Sequence, residues 1–331
     1  MTFTLVRKLL RDARWPLLVV CLLLFVFSFI WVGIAKKVTT EIAPAIEVIS
    51  RAGKMNPQMV EKVVFSGPGK ISQAVLGGTG IRFERPTDFL VVEMLHPVVV
   101  MLVGLWAVGR AAGAVAGELD RGTMELLMSQ PLPRNRLILA HLIADAVVIP
   151  AIALSLVLGT QLGVLANGPF EVNLDIFEQM PPEQIALLRF TVDFDTIPKE
   201  LPVHPVGQWP ATLNLIALMF ALSGVTMLIS ACGRNRWRAI GWASLMAVVM
   251  FIGNVVGQLW ESASVVRPFT VFFYYQPQKI WLNGNWMANL NEAWPGADVP
   301  VPMVLVLFGV GAVGYLLALR VFTRRDLPAP L

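Results

Sequence analysis

His141 and Asp145 are the pair whose residue types and spacing come closest to an acid–base site. They are four residues apart in an apolar stretch, so on a helix they lie one turn apart on the same face. A carboxylate within such a helix is a functional candidate by default. The alternative, which we favour, is that Asp145 only caps or pairs locally near its helix end. Glu93, near the end of another apolar stretch, has the same two interpretations.

The His and Cys residues do not indicate a metal site or a disulfide. His96, His141 and His204 are far apart in the sequence, and no H-E-x-x-H motif occurs. Cys21 and Cys232 both lie in apolar runs and are interpreted as small hydrophobic side chains. We therefore expect no metal site, no cofactor bound by this chain and no disulfide framework.

Neither of two glycine-rich motifs for nucleotide binding is supported by the sequence. Gly309, Gly311 and Gly314 fit G-x-G-x-x-G, but they lie inside an apolar run, with no preceding strand and no acidic residue about 20 positions later. Close helix packing is the preferred interpretation, and it extends to Gly159 with Gly163 and to Gly253 with Gly257. No G-x-x-x-x-G-K-[ST] occurs, so the chain is not predicted to be an enzyme that hydrolyses ATP by itself.

Glycines also recur at every fourth position near the end of the second apolar stretch. Gly109, Gly113 and Gly117 would form a smooth face on a helix. Small residues at this spacing allow membrane helices to approach closely. We predict that Gly109 and Gly113 belong to a helix-packing or subunit contact.

Composition places the chain among membrane proteins. Of its 331 residues, 56% are hydrophobic and only 15% are charged, and the mean hydropathy is +0.67. These values lie outside the range of soluble proteins. The net charge of +4 comes from short basic clusters beside apolar runs, without interleaved aromatic residues, so nucleic acid is excluded as a partner.

Six stretches are long and apolar enough to span a membrane, which requires about 20 residues each. The predicted spans are residues 15–35, 94–117, 137–166, 211–232, 239–260 and 301–322. The first is longer than the apolar core of a signal peptide and is interpreted as a retained anchor. The sequence thus predicts an all-α membrane protein with six transmembrane helices and an amphipathic opening at residues 1–14.

The distribution of basic residues predicts the orientation. More than half of the 26 Lys and Arg fall at the opening, around residues 110–136, at 234–238 and near the end of the last span. Because Lys and Arg concentrate on the inner side, both termini are predicted to be cytoplasmic. The outer segments are then residues 36–90, 167–210 and 261–300; the first is also basic, but long loops count little.

The stretch 117–136, GELDRGTMELLMSQPLPRNR, is too polar for a membrane and too patterned for a linker. Gly122 should break a first short helix, Thr123 should cap a second, and Glu125 in its first turn is favoured by the helix dipole. Pro131 and Pro133 should stop it. The expected result is a compact, helical protrusion between the second and third spans.

These residues carry a resemblance to a known family. GELDRGTMELLMSQPLPRNRLILAH resembles the signature of ABC-2 type permeases, in which an acidic residue, Gly-Thr, Leu-Leu, Pro and a basic residue follow the second membrane helix. The matching positions are Glu118, Gly122, Thr123, Leu126, Leu127, Pro131 and Arg134. The ending VFTRRDLP is also similar to the close of many such permeases. The outer segments 36–90 and 167–210 are longer than is usual in that family.

The resemblance implies the membrane subunit of an ATP-binding cassette exporter in the inner (plasma) membrane, with a type V exporter-like fold. Two copies would pair with each other in the lipid bilayer and with two ABC ATPase subunits, which would bind the ATP and Mg²⁺. Residues 1–14 would be the interfacial elbow helix, and 117–136 the coupling segment that contacts the ATPase. Its implied contact residues are Gly117, Glu118, Arg121, Gly122, Thr123, Glu125, Leu126, Leu127, Pro131 and Arg134.

Two other functions are weighed against an exporter. One is a non-transporting membrane module, as in maturation or motility machinery, that couples a cytoplasmic ATPase to an extracytoplasmic partner bound by the outer segments. The other is an intramembrane enzyme, for which His141 with Asp145 is the sole candidate pair.

Overall fold

Long apolar helices dominate the computed structural model, which describes residues 2–52, 85–129, 133–174, 193 and 197–325. Six of the helices are long and apolar enough to cross a membrane. The predicted class, an all-α membrane protein with six spans, is therefore confirmed. Two short antiparallel strand pairs are the additional regular structure in the described part of the chain.

The first span differs from the prediction at its beginning. Helix α1 (Thr2–Lys37) is continuous, passes through Pro16, and leads through a π-helical turn (Val38–Ile42) into α2 (Ala43–Ala52). The predicted boundary after residue 14 is therefore not a helix boundary. The helix continues through Pro16 although an interior proline lacks the backbone donor and crowds the carbonyl four residues earlier, because the flanking Leu- and Arg-containing runs favour the helix on both sides.

The second span is broken and begins earlier than predicted. It consists of α3 (Pro86–Leu95) and α4 (Pro97–Ala112), which meet at His96, an extended residue with ψ 133°. Pro97 causes the break, because proline disfavours the helical conformation in the residue before it. The predicted limits, 94 and 117, were wrong, since α3 extends the span back to Pro86 and α4 ends before a turn at 113–115.

The remaining spans agree with the prediction to within about three residues at each end. They are α7 (Arg134–Asn167), α8 (Gln208–Cys232), α9 (Arg236–Leu259) and α11 (Met303–Arg324). Between the second and third spans lie two short helices, α5 (Ala116–Asp120) and α6 (Met124–Met128). We call the end of the bundle that carries α5, α6 and the start of α1 the basic end, after Lys8, Arg121 and Arg236.

Short elements cover the opposite end of the bundle. Three 3-10 helices, α10 and a hairpin follow α9, and a second strand pair and another 3-10 turn precede α8. After α9, the 3-10 helices are Glu261–Phe269, Val271–Phe273 and Leu290–Glu292, α10 is Pro277–Asn283, and the hairpin pairs β3 (Met287–Asn289) with β4 (Pro300–Pro302). Before α8, β1 (Phe170–Glu171) pairs with β2 (Glu200–Leu201), and the 3-10 turn is Pro205–Gly207. Most of the two long outer segments, 53–84, 175–192 and 194–196, lies outside the described residues.

Helix α8 forms the centre of the bundle and contacts α4, α7, α9 and α11. Two further contacts are close because glycine lines them. Gly159 and Gly163 of α7 lie against Phe25 and Val32 of α1, and Gly311 of α11 lies against the backbone of α8 at Gly224. The predicted role of these glycines in helix packing is confirmed, except at Gly309, where an added Cβ would meet no atom within 4 Å.

Candidate functional site

The coupling segment folds as two short helices joined by a tight turn. Gly122 adopts a φ of 68° between α5 and α6, a conformation that glycine tolerates better than other residues. The predicted break is therefore present. The predicted capping role of Thr123 was wrong, because its side chain accepts no bond from the start of α6.

Thr123 instead stabilises the turn together with Glu118 and Arg121. The Glu118 carboxylate accepts a hydrogen bond from the Thr123 hydroxyl and an ion-pair contact of 2.5 Å from the Arg121 guanidinium. Three residues predicted to contact a partner are thus brought together, but their polar groups mostly satisfy one another. The side chain of Arg121 remains about half exposed, at 52%.

Ser230 attaches the coupling segment to the end of α8. Its hydroxyl accepts from the backbone N–H groups of Val115 (3.2 Å) and Ala116 (3.0 Å), and it donates to the carbonyl of Ala112 at 2.9 Å. One buried side chain therefore provides hydrogen bonds to three backbone groups at the turn where α4 ends and α5 begins. Sequence reasoning missed Ser230, although a small hydroxyl residue near the end of an apolar helix is the available signal.

The loop between α8 and α9 provides two more contacts to the same segment. Asn235 donates to the Asp120 carboxylate at 2.8 Å, and the Arg236 side chain packs across Gly113 and Gly117. The predicted glycine face is thus partly covered within this chain. Gly109 has no atom within 4 Å of an added Cβ and borders a cavity.

The free part of the coupling segment is its tip. Leu126 is 71% exposed, Gly122 and Glu125 are also exposed, and Leu127 is half-buried. We call Arg121, Gly122, Glu125 and Leu126 the coupling surface. An exposed leucine among charged residues at the end of a bundle is suited to a protein contact rather than to lipid.

The other predicted contact residues do not belong to the coupling surface. Arg134 donates to the carbonyl of Arg325 at 2.6 Å, and Arg325 in turn donates to Ala231 and Gly233 at 2.8 Å each. Arg134 therefore joins the start of α7 to the ends of α11 and α8. Pro131 lies outside the described residues.

Asp145 is buried, with 2% exposure, and forms an ion pair with Arg110 rather than with His141. Its carboxylate also accepts from the hydroxyls of Ser223 (2.6 Å) and Tyr315. These four residues come from α4, α7, α8 and α11. The Arg110 guanidinium points into the bundle, where the buried carboxylate needs a charged or hydrogen-bonding partner.

His141 lies one turn from Asp145 but does not contact it through its ring. The Nδ1 atom has no hydrogen-bond partner among the described residues, and the backbone carbonyl accepts from Arg110 at 3.3 Å. The geometry of an acid–base pair is therefore absent here. No group of three His, Cys, Asp or Glu that could hold a metal ion occurs in the described ranges.

Glu93 lies in a second buried polar cluster, nearer the opposite end. It is fully buried and accepts from Thr160 at 2.7 Å and from Gln208 at 2.6 Å, while Gln208 also donates to Thr160 at 2.7 Å. The hydroxyl of Tyr275 donates to the neighbouring Met94 carbonyl at 2.5 Å. The cluster joins α3, α7 and α8, so its visible role is to connect helices.

Six long apolar helices with a polar helical protrusion at one end define a multi-pass membrane protein. Comparison with protein families matches residues 6–197 to the family described as ABC-2 family transporter protein, and the chain belongs to that family. The predicted family is therefore confirmed, as is a multi-pass protein, which supports the predicted plasma-membrane location. Comparisons with curated proteins and with solved structures give no match.

Proposed function

We propose that this chain is the permease subunit of an ABC exporter and that a separate ABC ATPase subunit binds the coupling surface. Family membership supports a permease and implies pairing with an ATPase of this kind. The observation that carries the proposal is the exposed Leu126 at the tip of α6, on a segment fixed to the bundle by Ser230 and Asn235.

The proposal assigns the energy source to the partner. Two ATPase subunits would bind ATP and Mg²⁺, and two copies of this chain would form the membrane pathway. The basic end would face the cytoplasm, in agreement with the concentration of Arg and Lys there. Both termini of the chain would then be cytoplasmic.

The mechanism follows from how the coupling segment is attached. ATP binding would move the ATPase subunits, and a force on Leu126 would pass through the turn at Gly122 to α5. From there, the Ser230 contact transmits it to the central helix α8. Alternating access would result if the ATP-bound ATPase has a higher affinity for the outward-open arrangement, since a ligand shifts an equilibrium only by its differential affinity.

Leu126→Glu tests the docking of the ATPase. The tagged full-length chain is purified from mild detergent, and the ABC ATPase that accompanies it is quantified by mass spectrometry and by ATP hydrolysis. We expect loss of most of the ATPase, because a buried unpaired charge at the centre of an interface costs several kcal/mol. Retention of the ATPase at the level of the unmodified protein would overturn the assignment of the coupling surface.

Val206→Glu is the matched control. Val206 is 73% exposed, as Leu126 is, but it lies at the opposite end of the bundle. Its substitution should leave the bound ATPase unchanged. Equal losses in both variants would indicate a general effect on folding and would contradict a specific contact at α6.

A non-transporting module is the second candidate, favoured by the folded cover at the opposite end. Trp281 and Phe273 are buried there, and Arg267 donates to the Glu292 carbonyl at 2.9 Å. An ordered surface of this kind suits binding of an extracytoplasmic protein. Reconstituted vesicles distinguish the two functions: ATP hydrolysis with substrate movement supports export, whereas hydrolysis stimulated by the extracytoplasmic partner without movement supports the module.

A further inference from the structure

A cavity of about 780 Å³ opens at the basic end, between the first turns of α1, the ends of α4 and α5, the turn before α6, and the start of α7. We call it the basic-end cavity. Its lining includes Arg110 and His141, which are largely buried, and also Lys8 and Arg236. The contacts of the coupling segment and the Arg110–Asp145 ion pair leave this space unfilled.

Two buried side-chain nitrogen atoms at this cavity lack a hydrogen-bond partner in the described part of the chain. His141 is 6% exposed and its Nδ1 atom makes no hydrogen bond, and the buried Nε atom of Arg236 makes none either. Buried polar atoms in folded proteins are nearly always hydrogen-bonded. A ligand with several acceptor oxygens would satisfy the Arg236 donor and a protonated Nδ1 of His141.

The charges around the cavity favour an anion. Its lining has four cationic side chains, Lys8, Arg110, Arg121 and Arg236, but only two carboxylates, Asp12 and Glu118. Glu118 is bound by Arg121 and Thr123, and Asp12 lies 4.0 Å from Arg11. Lys8 and Arg236 have no ion pair with the described residues, so their charges are available to a ligand.

The rest of the wall is apolar. Leu5, Leu9 and Ala13 follow each other at a spacing of four on α1, so they form one stripe along the cavity, and the half-buried Leu127 also lines it. A purely ionic ligand would leave this surface in contact with water. The lining therefore suits a molecule with a charged group and a hydrocarbon portion.

The position of the cavity along α1 corresponds to the headgroup layer. At 1.5 Å per residue, the 36 residues of α1 extend about 54 Å, well beyond a hydrocarbon core of about 30 Å. The stretch 15–35 carries no charge and occupies that core. The lining residues of α1 precede it and thus lie at the depth of lipid phosphates.

We propose that the basic-end cavity binds the phosphate headgroup of an anionic phospholipid, with its acyl chain running from Leu9 past Ala13 towards the uncharged stretch 15–35. Lys8 and Arg236 bind the phosphate, and His141 donates to a headgroup oxygen. A soluble phosphate ester has the same anionic group without the chain, so the test must separate the two. The site is independent of whether the protein exports a substrate.

Short-chain lipids provide the probe. The purified full-length protein in neutral detergent is titrated with dioctanoyl phosphatidylglycerol, dioctanoyl phosphatidylcholine and glycerol 1-phosphate by isothermal calorimetry. We expect the phosphatidylglycerol to bind at least about tenfold more tightly than either other probe, since it alone combines net negative charge with acyl chains. Equal binding of the two lipids would overturn the anionic site, and equal binding of glycerol 1-phosphate would overturn the lipid assignment.

Paired charge substitutions locate the binding. Lys8→Gln with Arg236→Gln should weaken phosphatidylglycerol by about tenfold or more. Arg7→Gln with Arg238→Gln removes the same charge from the same two helices at exposed positions that do not line the cavity, and should change the affinity by less than about twofold. Similar losses in both pairs would contradict the site. His141→Phe is a further variant, expected to weaken binding while circular dichroism shows an unchanged fold.

Discussion

Arg110 and Asp145 form a buried ion pair between α4 and α7, the two spans that flank the coupling segment in the chain. The side chain of Arg110 is 13% exposed and that of Asp145 is 2% exposed. Because Ser223 and Tyr315 also donate to Asp145, the pair is connected to α8 and α11. Four spans therefore meet at one carboxylate.

Removing one partner of this pair should destabilise the protein strongly. We expect Asp145→Leu to cost about 3–5 kcal/mol, because it leaves the Arg110 guanidinium buried without a counter-charge. Arg110→Met should cost less, since the hydroxyls of Ser223 and Tyr315 still bind the carboxylate. Unfolding in mixed micelles with increasing SDS measures both.

The double variant Arg110→Met with Asp145→Leu separates a charge effect from a packing effect. It removes both charges and should recover a large part of the stability lost in Asp145→Leu. A double variant that is less stable than either single variant would show that the ion pair is not the origin of the loss.

Ser230→Ala should loosen the coupling segment. The substitution leaves the N–H groups of Val115 and Ala116 without their acceptor, at an expected cost of about 1–3 kcal/mol. The stimulation of ATP hydrolysis that the permease subunit causes in the assembled complex should therefore be smaller with Ser230→Ala than with the unmodified chain. Ser129→Ala is the control, because the exposed Ser129 hydroxyl bonds the Leu126 carbonyl within the same helical turn, and its loss should be nearly neutral.

Gly311→Ala should separate α8 from α11, because the added methyl group would collide with Phe220. We expect a loss of about 1–3 kcal/mol from overpacking, measured as a lower unfolding midpoint. Gly309→Ala, two residues away in the same helix, meets no atom within 4 Å and should be neutral or slightly stabilising. A destabilising Gly309→Ala would point to a neighbour absent from the single chain, such as a second copy.

Cys232 reports the orientation of the chain. It is an exposed free cysteine at the basic end, whereas Cys21 is half-buried within α1. If the basic end is cytoplasmic, a membrane-impermeant maleimide should label Cys232 in inside-out vesicles but not in intact cells. The Cys21→Ser variant should behave identically, and Cys232→Ser should lose the label. Labelling in intact cells would reverse the proposed topology.

Hydrophobic periodicity and length were sufficient to predict the six spans, because about 20 apolar residues have few alternatives to a membrane helix. The exception is α3, which carries Asp88 and Glu93 and lies almost entirely ahead of the predicted start of the second span. Glu93 is buried because Thr160 and Gln208 bind it. Those partners are 67 and 115 residues away in sequence, so no local pattern could indicate them.

In the coupling segment, too, local features were predictable from the sequence and contacts with other helices were not. Gly122 was predictable, since a residue with positive φ is a local requirement. The partners of Arg110, Arg134 and Ser230 were not, because each lies on another helix and depends on how the bundle packs. Spacing along one helix suggested His141 for Asp145, whereas tertiary packing placed Arg110 closer.

The glycines at the α8–α11 and α1–α7 contacts limit how the bundle can change shape. Gly311 brings α11 onto the α8 backbone, and Gly159 and Gly163 do the same for α7 on α1. Contacts this close leave little room for the neighbouring side chains to rearrange, so each helix pair should move as a rigid body. A conformational change is then a relative rotation of two helix pairs, and the contacts of Asp145 on α7 with Ser223 on α8 and Tyr315 on α11, which connect the pairs, are the place at which it would occur.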